Sequence, residues 1–235
     1  GAAMAGLAFA AALTFAEVAR AHLFTGFPWA LPGYAWVETP LMQAASWVGP
    51  HGLTLITLAL AALPLATLRP GWAVAAAAAV SAACWAGERR LEAAPDPRPD
   101  APVIRVVQPN AAQHLKWKPG HRERFAARLE SLSAAPPDPA LGPPDVVVWP
   151  ETAATFLPQD APDAVARSAR AAAPAPLVTG ALFYERLPDG RRAWTNSLML
   201  AGADGSVGLR YDKHHLVPFG EYLPLRWLLA AMGLE

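Results

Sequence analysis

Charge is scarce in the first third of this chain. Of its 235 residues, 16% are Asp, Glu, Lys or Arg, where soluble domains carry about 25%. The shortfall is local, since residues 1–87 hold only Glu17, Arg20, Glu38 and Arg69. Cysteine is nearly absent as well. The single Cys84 excludes an internal disulfide and a Cys/His metal cluster. It lies in Ala82-Ala83-Cys84-Trp85-Ala86, where no base is near, so it reads as a small buried hydrophobe and not as a nucleophile. Neither sign of charge is in excess. Nineteen basic and nineteen acidic residues cancel, which gives nucleic acid no electrostatic footing. Internal repeats are lacking, and so is a basic stretch at the start. Residues 1–19 therefore do not read as a signal peptide, and a chain that opens in mid-hydrophobic sequence is expected to be an internal piece of a longer protein.

What is present is a run of apolar segments. About 2–16, 53–68 and 71–87 could each enter a bilayer, although spanning takes roughly 20 residues. The second lengthens if 47–52 belongs to it. The second and third, joined at Arg69-Pro70, suggest a hairpin across the bilayer. Between the first and second lies His22–Pro40, with Phe24, Phe27, Trp29, Tyr34 and Trp36 among Gly and Pro. Gly and Pro rule out a long regular helix there, and aromatics at this density suit a membrane–water interface. The expected organisation is transmembrane helices with an aromatic interface loop over 1–92 and a stiff Pro-rich linker over 93–102. A second domain of ordinary soluble composition fills 103–235.

In that second domain strands and helices alternate. Strands are expected at Val103–Gln108, Asp145–Trp149 and Leu177–Tyr184, with helices at about 120–133 and 161–173. Trp194–Ala201 and Ser206–Tyr211 should pair around Ala203-Asp204-Gly205. This order predicts an α/β fold. Chemistry in such folds collects at the carboxyl ends of strands. Glu151, in Trp149-Pro150-Glu151, sits at the mouth of one strand, and Lys213 sits just past another. A carboxylate and an ammonium delivered there are candidates for a general base and an oxyanion stabiliser; a structural salt bridge is the plainer alternative.

Four segments in order carry a family resemblance. They are Phe24-Thr25-Gly26-Phe27-Pro28-Trp29, then Gln108-Pro109-Asn110-Ala111-Ala112-Gln113-His114-Leu115-Lys116-Trp117, then Trp149-Pro150-Glu151, and last Tyr211 through Tyr222 (YDKHHLVPFGEY). Together they resemble apolipoprotein N-acyltransferase, a bacterial membrane enzyme with a nitrilase-type domain. The resemblance implies membrane-embedded helices followed by part of an αββα nitrilase-like sandwich. It implies no cofactor or metal. It also implies that an acyl chain moves from a phospholipid to the amine of a lipoprotein's diacylglyceryl-cysteine through a thioester. In these motifs Glu151 matches the base and Lys213 the oxyanion stabiliser. Glu221 matches a glutamate that helps hold the site, and Trp117 a tryptophan near the acyl-chain entrance. The family's nucleophilic cysteine is expected beyond Glu235, so this stretch should carry two of three catalytic groups and not complete the reaction by itself.

Base and cation should stand within roughly 4–7 Å, a contact or one-water separation. Asn196 and Ser197 read as structural, and His214 and His215 as loop or hydrogen-bonding residues. Arg89, Arg90 and Arg98 after the third span favour a cytoplasmic second domain. The resemblance implies a periplasmic one at the inner membrane, and it is preferred because charge bias weakens for long domains. Two rival readings stay open: a nitrilase-like amidase acting on a small C–N substrate, and a membrane-anchored binding module without catalysis.

Overall fold

The structure, a computed structural model, describes residues 1–66, 70–95, 98, 100–112 and 114–233. Arg69, Gln113 and part of the proline-rich stretch, which figure in the expectations above, lie outside these. The chain forms two compact units, Gly1–Asp96 with His215–Glu235, and Pro97–His214. The segment after His215, expected to close the second domain, clusters with the helices instead.

The helical unit contains α1 (Ala2–His22), α2 (Ala45–Ala66) and α3 (Pro70–Glu92). Among the described residues two helices are long and apolar enough to cross a membrane, Met4–His22 and Pro40–Ala62, and only 11% of each apolar window is buried within the molecule. The third expected span forms α3 but is not among them. Alanine dominates it, and charged Glu88, Arg89, Arg90 and Glu92 occupy its end. The second span starts earlier than its core and breaks at Gly49 (φ 69°). Pro50 follows, and a residue before proline is pushed out of the helical region. The aromatic loop contains two short 3₁₀ turns, Pro32–Trp36 and Pro40–Ala44. The Arg20 guanidinium ties this loop to α1. It pairs with Glu17 and donates to the carbonyls of Phe27 and Trp29, both at 2.7 Å.

The second unit contains one five-stranded mixed sheet in the order β1-β2-β3-β4-β5. The strands are β1 (Ile104–Val106), β2 (Val146–Val148), β3 (Leu177–Arg186), β4 (Arg192–Ala201) and β5 (Val207–Asp212). The first three run parallel, and β4 and β5 return antiparallel. Crossovers between the parallel strands carry α4 (His121–Ser133) and α5 (Pro162–Ala172). Alternation along the strands sets the two faces apart. Val147, Leu177, Ala181, Met199 and Ala201 are buried with Leu129 of α4 and Val165 and Ala169 of α5. The other face presents Ile104, Val106, Leu198, Leu209 and Tyr211, all more than 40% exposed. Register fixes that second face: Gly180 opposes Leu198, Leu182 opposes Asn196, and Leu198 opposes Tyr211.

Candidate active site

Glu151 follows β2 by three residues in a turn closed by Ala153 N–H to the Pro150 carbonyl. Trp149 anchors the strand end from beneath. It is buried, and its indole N–H donates to the Ser133 hydroxyl of α4 at 2.8 Å. The turn then crosses β3 at Gly180. A methyl group there would lie 2.3 Å from the Thr152 nitrogen and 2.7 Å from Glu151 Cα. Glycine is therefore a requirement of close backbone approach, and Ala154 N–H to the Gly180 carbonyl and Gly180 N–H to the Pro150 carbonyl fasten the crossing.

Lys213 arrives from β5. Its backbone N–H donates to the Asn196 carbonyl at 2.8 Å, which extends the β4–β5 ladder by one residue. Its neighbour Asp212 faces the other way. Asp212 accepts from the Ser197 hydroxyl at 2.6 Å and from Arg210 through both carboxylate oxygens. The Arg210 guanidinium and then the Ser197 hydroxyl hold the Asp212 carboxyl below the usual carboxylate range. With Asp212 fixed, strand alternation turns Lys213 to the open face.

There the two meet. Lys213 Nζ lies 3.0 Å from Glu151 Oε1 across 62 positions of sequence. This is a direct contact, tighter than the expected 4–7 Å. Asn196, expected to be structural, donates its amide N–H to the same oxygen at 2.5 Å. Its neighbour Ser197 does have the structural role, on Asp212. Two donors of different kind thus orient one carboxylate oxygen, which is how a base is held in one geometry.

Beside this contact, at the ends of β1 and β2, is a cavity of about 200 Å³ lined by Gln108, Asn110, Lys116, Phe125, Glu151 and Thr155 among others. Lys116 is half-buried on a turn that its own N–H closes to the Ala112 carbonyl. Burial pushes its ammonium below the usual lysine value, and the Glu151 charge opposes that shift. Arg122 of α4 donates to the Thr155 carbonyl and supports the cavity wall. Lys116 was part of a motif in the sequence but carried no role there; the signal that singles it out is burial, which strand and turn spacing does not encode.

Trp117 does not line the cavity. It is 41% exposed, with Lys116 Nζ 5.7 Å and the Arg122 guanidinium 5.9 Å from its ring centroid. Glu221 belongs to the helical unit, where its carboxylate accepts the Val217 N–H at 2.8 Å and its own N–H returns to the Val217 carbonyl. It closes a tight turn that holds Phe219 at φ 62°. His214 packs its ring edge-on against Tyr211, 5.3 Å between centroids. Among the described residues no cluster of His, Cys, Asp and Glu could hold a metal ion.

Comparison with known proteins places this geometry in a context. A profile of the apolipoprotein N-acyltransferase N-terminal domain matches residues 3–63. Along 97% of its length the chain is similar to proteins named apolipoprotein N-acyltransferase. It is 35% identical to that of Brucella melitensis, 37% to that of Rhodopseudomonas palustris and 37% to that of Caulobacter vibrioides. It spans about 45% of the length of each of these relatives.

Proposed function

From a chain that belongs by sequence to the apolipoprotein N-acyltransferase family, we propose that it supplies the base and the oxyanion cation of a lipoprotein N-acylation enzyme. The observation that carries this reading is the 3.0 Å contact between Glu151 and Lys213 at two strand ends 62 residues apart. The nucleophile is a cysteine thiol of the whole protein and not Cys84, which belongs to the apolar run of α3 in the helical unit.

Free thiols have pKa values near 8.5 and are mostly protonated at neutral pH, so a base must act first. Glu151 Oε takes the thiol proton as sulfur attacks the ester carbonyl of a phospholipid. The C–S bond forms, and charge develops on the carbonyl oxygen. The Lys213 ammonium offsets that charge in a place where its geometry is already fixed. The ester C–O bond then breaks, and the lysophospholipid alkoxide takes the proton from Glu151. In the second half the acceptor's α-amine attacks the thioester carbonyl. The C–N bond forms, the C–S bond breaks, and the amine's proton returns by way of Glu151 to the thiolate. Trp117, exposed next to the cavity, borders the acyl chain. Glu221 acts by holding its own loop.

The reading extends to the frame. The five-stranded sheet is one half of a nitrilase-like αββα sandwich, with α4 and α5 on its covered face and its apolar open face meeting the second sheet. The apolar helices support a position in the inner membrane, where both lipid-anchored substrates reside, and the family resemblance supports a periplasmic sheet domain.

The test is Glu151→Gln in the whole protein. The amide keeps the size but cannot accept the proton, and loss of a general base typically costs about 10²–10⁴-fold. Acyl-enzyme trapped from a labelled phospholipid should fall by that factor while the protein folds normally. Acylation at the wild-type rate would remove Glu151 as base.

A further inference from the structure

Two loop tips of the helical unit carry phenylalanine where the backbone disfavours it. Phe24, two residues past α1, has φ 59°, and Phe219, in the turn that Glu221 closes, has φ 62°. The left-handed region costs any residue with a Cβ free energy that glycine avoids. Such backbone persists where its surroundings over-determine it, and it gathers at functional loops. Burial does not compensate, since Phe24 is 56% exposed and Phe219 66%. The two tips nevertheless meet. Their rings pack edge to face with centroids 6.5 Å apart. Next to Phe24, the Thr25 hydroxyl donates to the Leu216 carbonyl and stands 3.2 Å from the Tyr222 hydroxyl, contacts that cross 191 and 197 positions of sequence. One side chain thus fastens the loop after α1 to the 216–222 turn, and the fastening leaves both rings exposed as a pair.

We propose that Phe24 and Phe219 form one lipid-facing wedge, which Thr25 assembles, and that the hydrocarbon of bilayer phospholipid covers it. Lipid is the occupant because the pair continues an apolar surface. Phe24 follows the apolar helix Met4–His22 by two residues. Beyond Phe219, exposed apolar side chains resume at Leu223, Leu225 and Trp227. Aromatic rings at the end of an apolar span suit the layer where hydrocarbon and water meet, and a ring with no polar atom takes the hydrocarbon side of it. The charges of these loops are engaged within the unit: Arg20 pairs with Glu17 and holds the Phe27 and Trp29 carbonyls, and Glu221 accepts the Val217 N–H. The inference rests on the reading that the apolar helices lie in a bilayer. Its consequence is that the 216–222 turn, which starts three residues after Lys213, is held at the surface on which lipid-anchored substrates move.

The experiment is photolabelling of the whole protein in phosphatidylcholine vesicles. The probe is a dialkyl-ether phosphatidylcholine with a diazirine in one alkyl chain; it has no ester and cannot act as an acyl donor. Labelled peptides are mapped by mass spectrometry in wild type, Thr25→Ser and Thr25→Val, each checked by thermal melting. Label should appear at Phe24 and across 216–222 and rise linearly with the probe's share of the lipid. Thr25→Val keeps the size and removes the hydroxyl. A net hydrogen bond of ordinary strength corresponds to about a two- to tenfold change in population, so label on 216–222 should fall by that factor while Phe24 and the Thr25→Ser protein keep theirs. If Thr25→Val does not fold, Tyr222→Phe, which removes the other hydroxyl of the contact, takes its place with the same expectation. A bare 216–222 turn beside labelled Phe9 and Phe15 of α1 overturns the proposal and assigns the tips to another occupant, such as a protein segment. Label that saturates at a low probe share overturns it in favour of a discrete lipid-binding site, and undiminished label without the hydroxyl removes Thr25 as the fastener. If Phe9 and Phe15 stay unlabelled as well, the membrane reading fails instead, and the two failures are distinct.

Discussion

Asn196 shows how much a single residue depends on register. Its amide lies 2.5 Å from Glu151 Oε1 and shares that oxygen with Lys213. A hydrogen bond to a charged group contributes about 1.5–3 kcal/mol, or roughly 10–150-fold in a rate that needs the group in place. Asn196→Ala should slow acyl-enzyme formation by a factor within that range, and Asn196→Asp should slow it further by setting a second carboxylate against the base. A stopped-time acylation assay on the whole protein measures both, and a wild-type rate in Asn196→Ala would leave the bond without a role in the chemistry. Glu151 and Lys213 were legible in the sequence because each follows an apolar strand-like run, and a residue just past a strand can be placed without knowing its neighbours. Asn196 was not legible, because it sits inside a strand. Whether it or Ser197 faces the carboxylate turns on a one-residue register that β3 and β5 set together. Lys116 was hidden for another reason, since a lysine in a loop normally points to water and only the surrounding cavity shows that this one does not.

At the scale of elements, the strands and helices of the sheet unit follow their apolar periods closely. The expected strand at Leu177–Tyr184 extends to Arg186, and that at Trp194–Ala201 begins at Arg192. Three of the four extra residues, Glu185, Arg186 and Arg192, are charged, and they pair because the hairpin carries the ladder outward. The parallel strands β1 and β2 are shorter than their apolar runs; Val107 N–H still donates to the Val148 carbonyl and Trp149 N–H to the Val178 carbonyl before the chain enters the turns that carry Asn110 and Glu151. Gly180 joins these two observations. It looks like an ordinary strand glycine, yet the Glu151 turn rests on it. Gly180→Ala puts a methyl group against backbone, which cannot move aside as a flexible side chain can. Overpacking of this kind costs typically about 1–3 kcal/mol, and the easiest relief is to lift the turn. The expected result is a lower melting temperature together with a loss of acylation larger than the stability change explains. Gly180→Ala with wild-type activity would mean that the turn's seat on β3 does not set the base.

At the scale of the whole molecule, the two units ask for different surroundings. The sheet unit buries the apolar side chains of one face beneath α4 and α5 and carries charge along its loops. The helical unit does the reverse: Met4, Leu7, Phe9 and Phe15 of α1 are each at least half exposed, as are Trp72 and Val74 of α3. Removing one such large side chain from water is worth about 1.5–3 kcal/mol, so the four on α1 together are worth about 6–12 kcal/mol, comparable to the stability margin of about 5–15 kcal/mol typical of a folded protein, and this is gained only where an apolar medium covers them. Helix geometry allows that medium to be a bilayer, since every interior backbone group is already hydrogen-bonded. The aromatic loop supports the same placement. Phe24 and Trp29 are exposed while Arg20 holds the loop's carbonyls, which suits a layer where rings and water meet. The whole protein should accordingly remain with membranes through alkaline carbonate extraction, which strips proteins held by charge alone, and should leave them only with detergent. Because α1 contributes exposed Phe9 and Phe15, Phe9→Asp combined with Phe15→Asp should weaken that retention. Quantitative release of the unaltered protein by carbonate would show that these helices are covered by something other than lipid, and the membrane placement would fall with it.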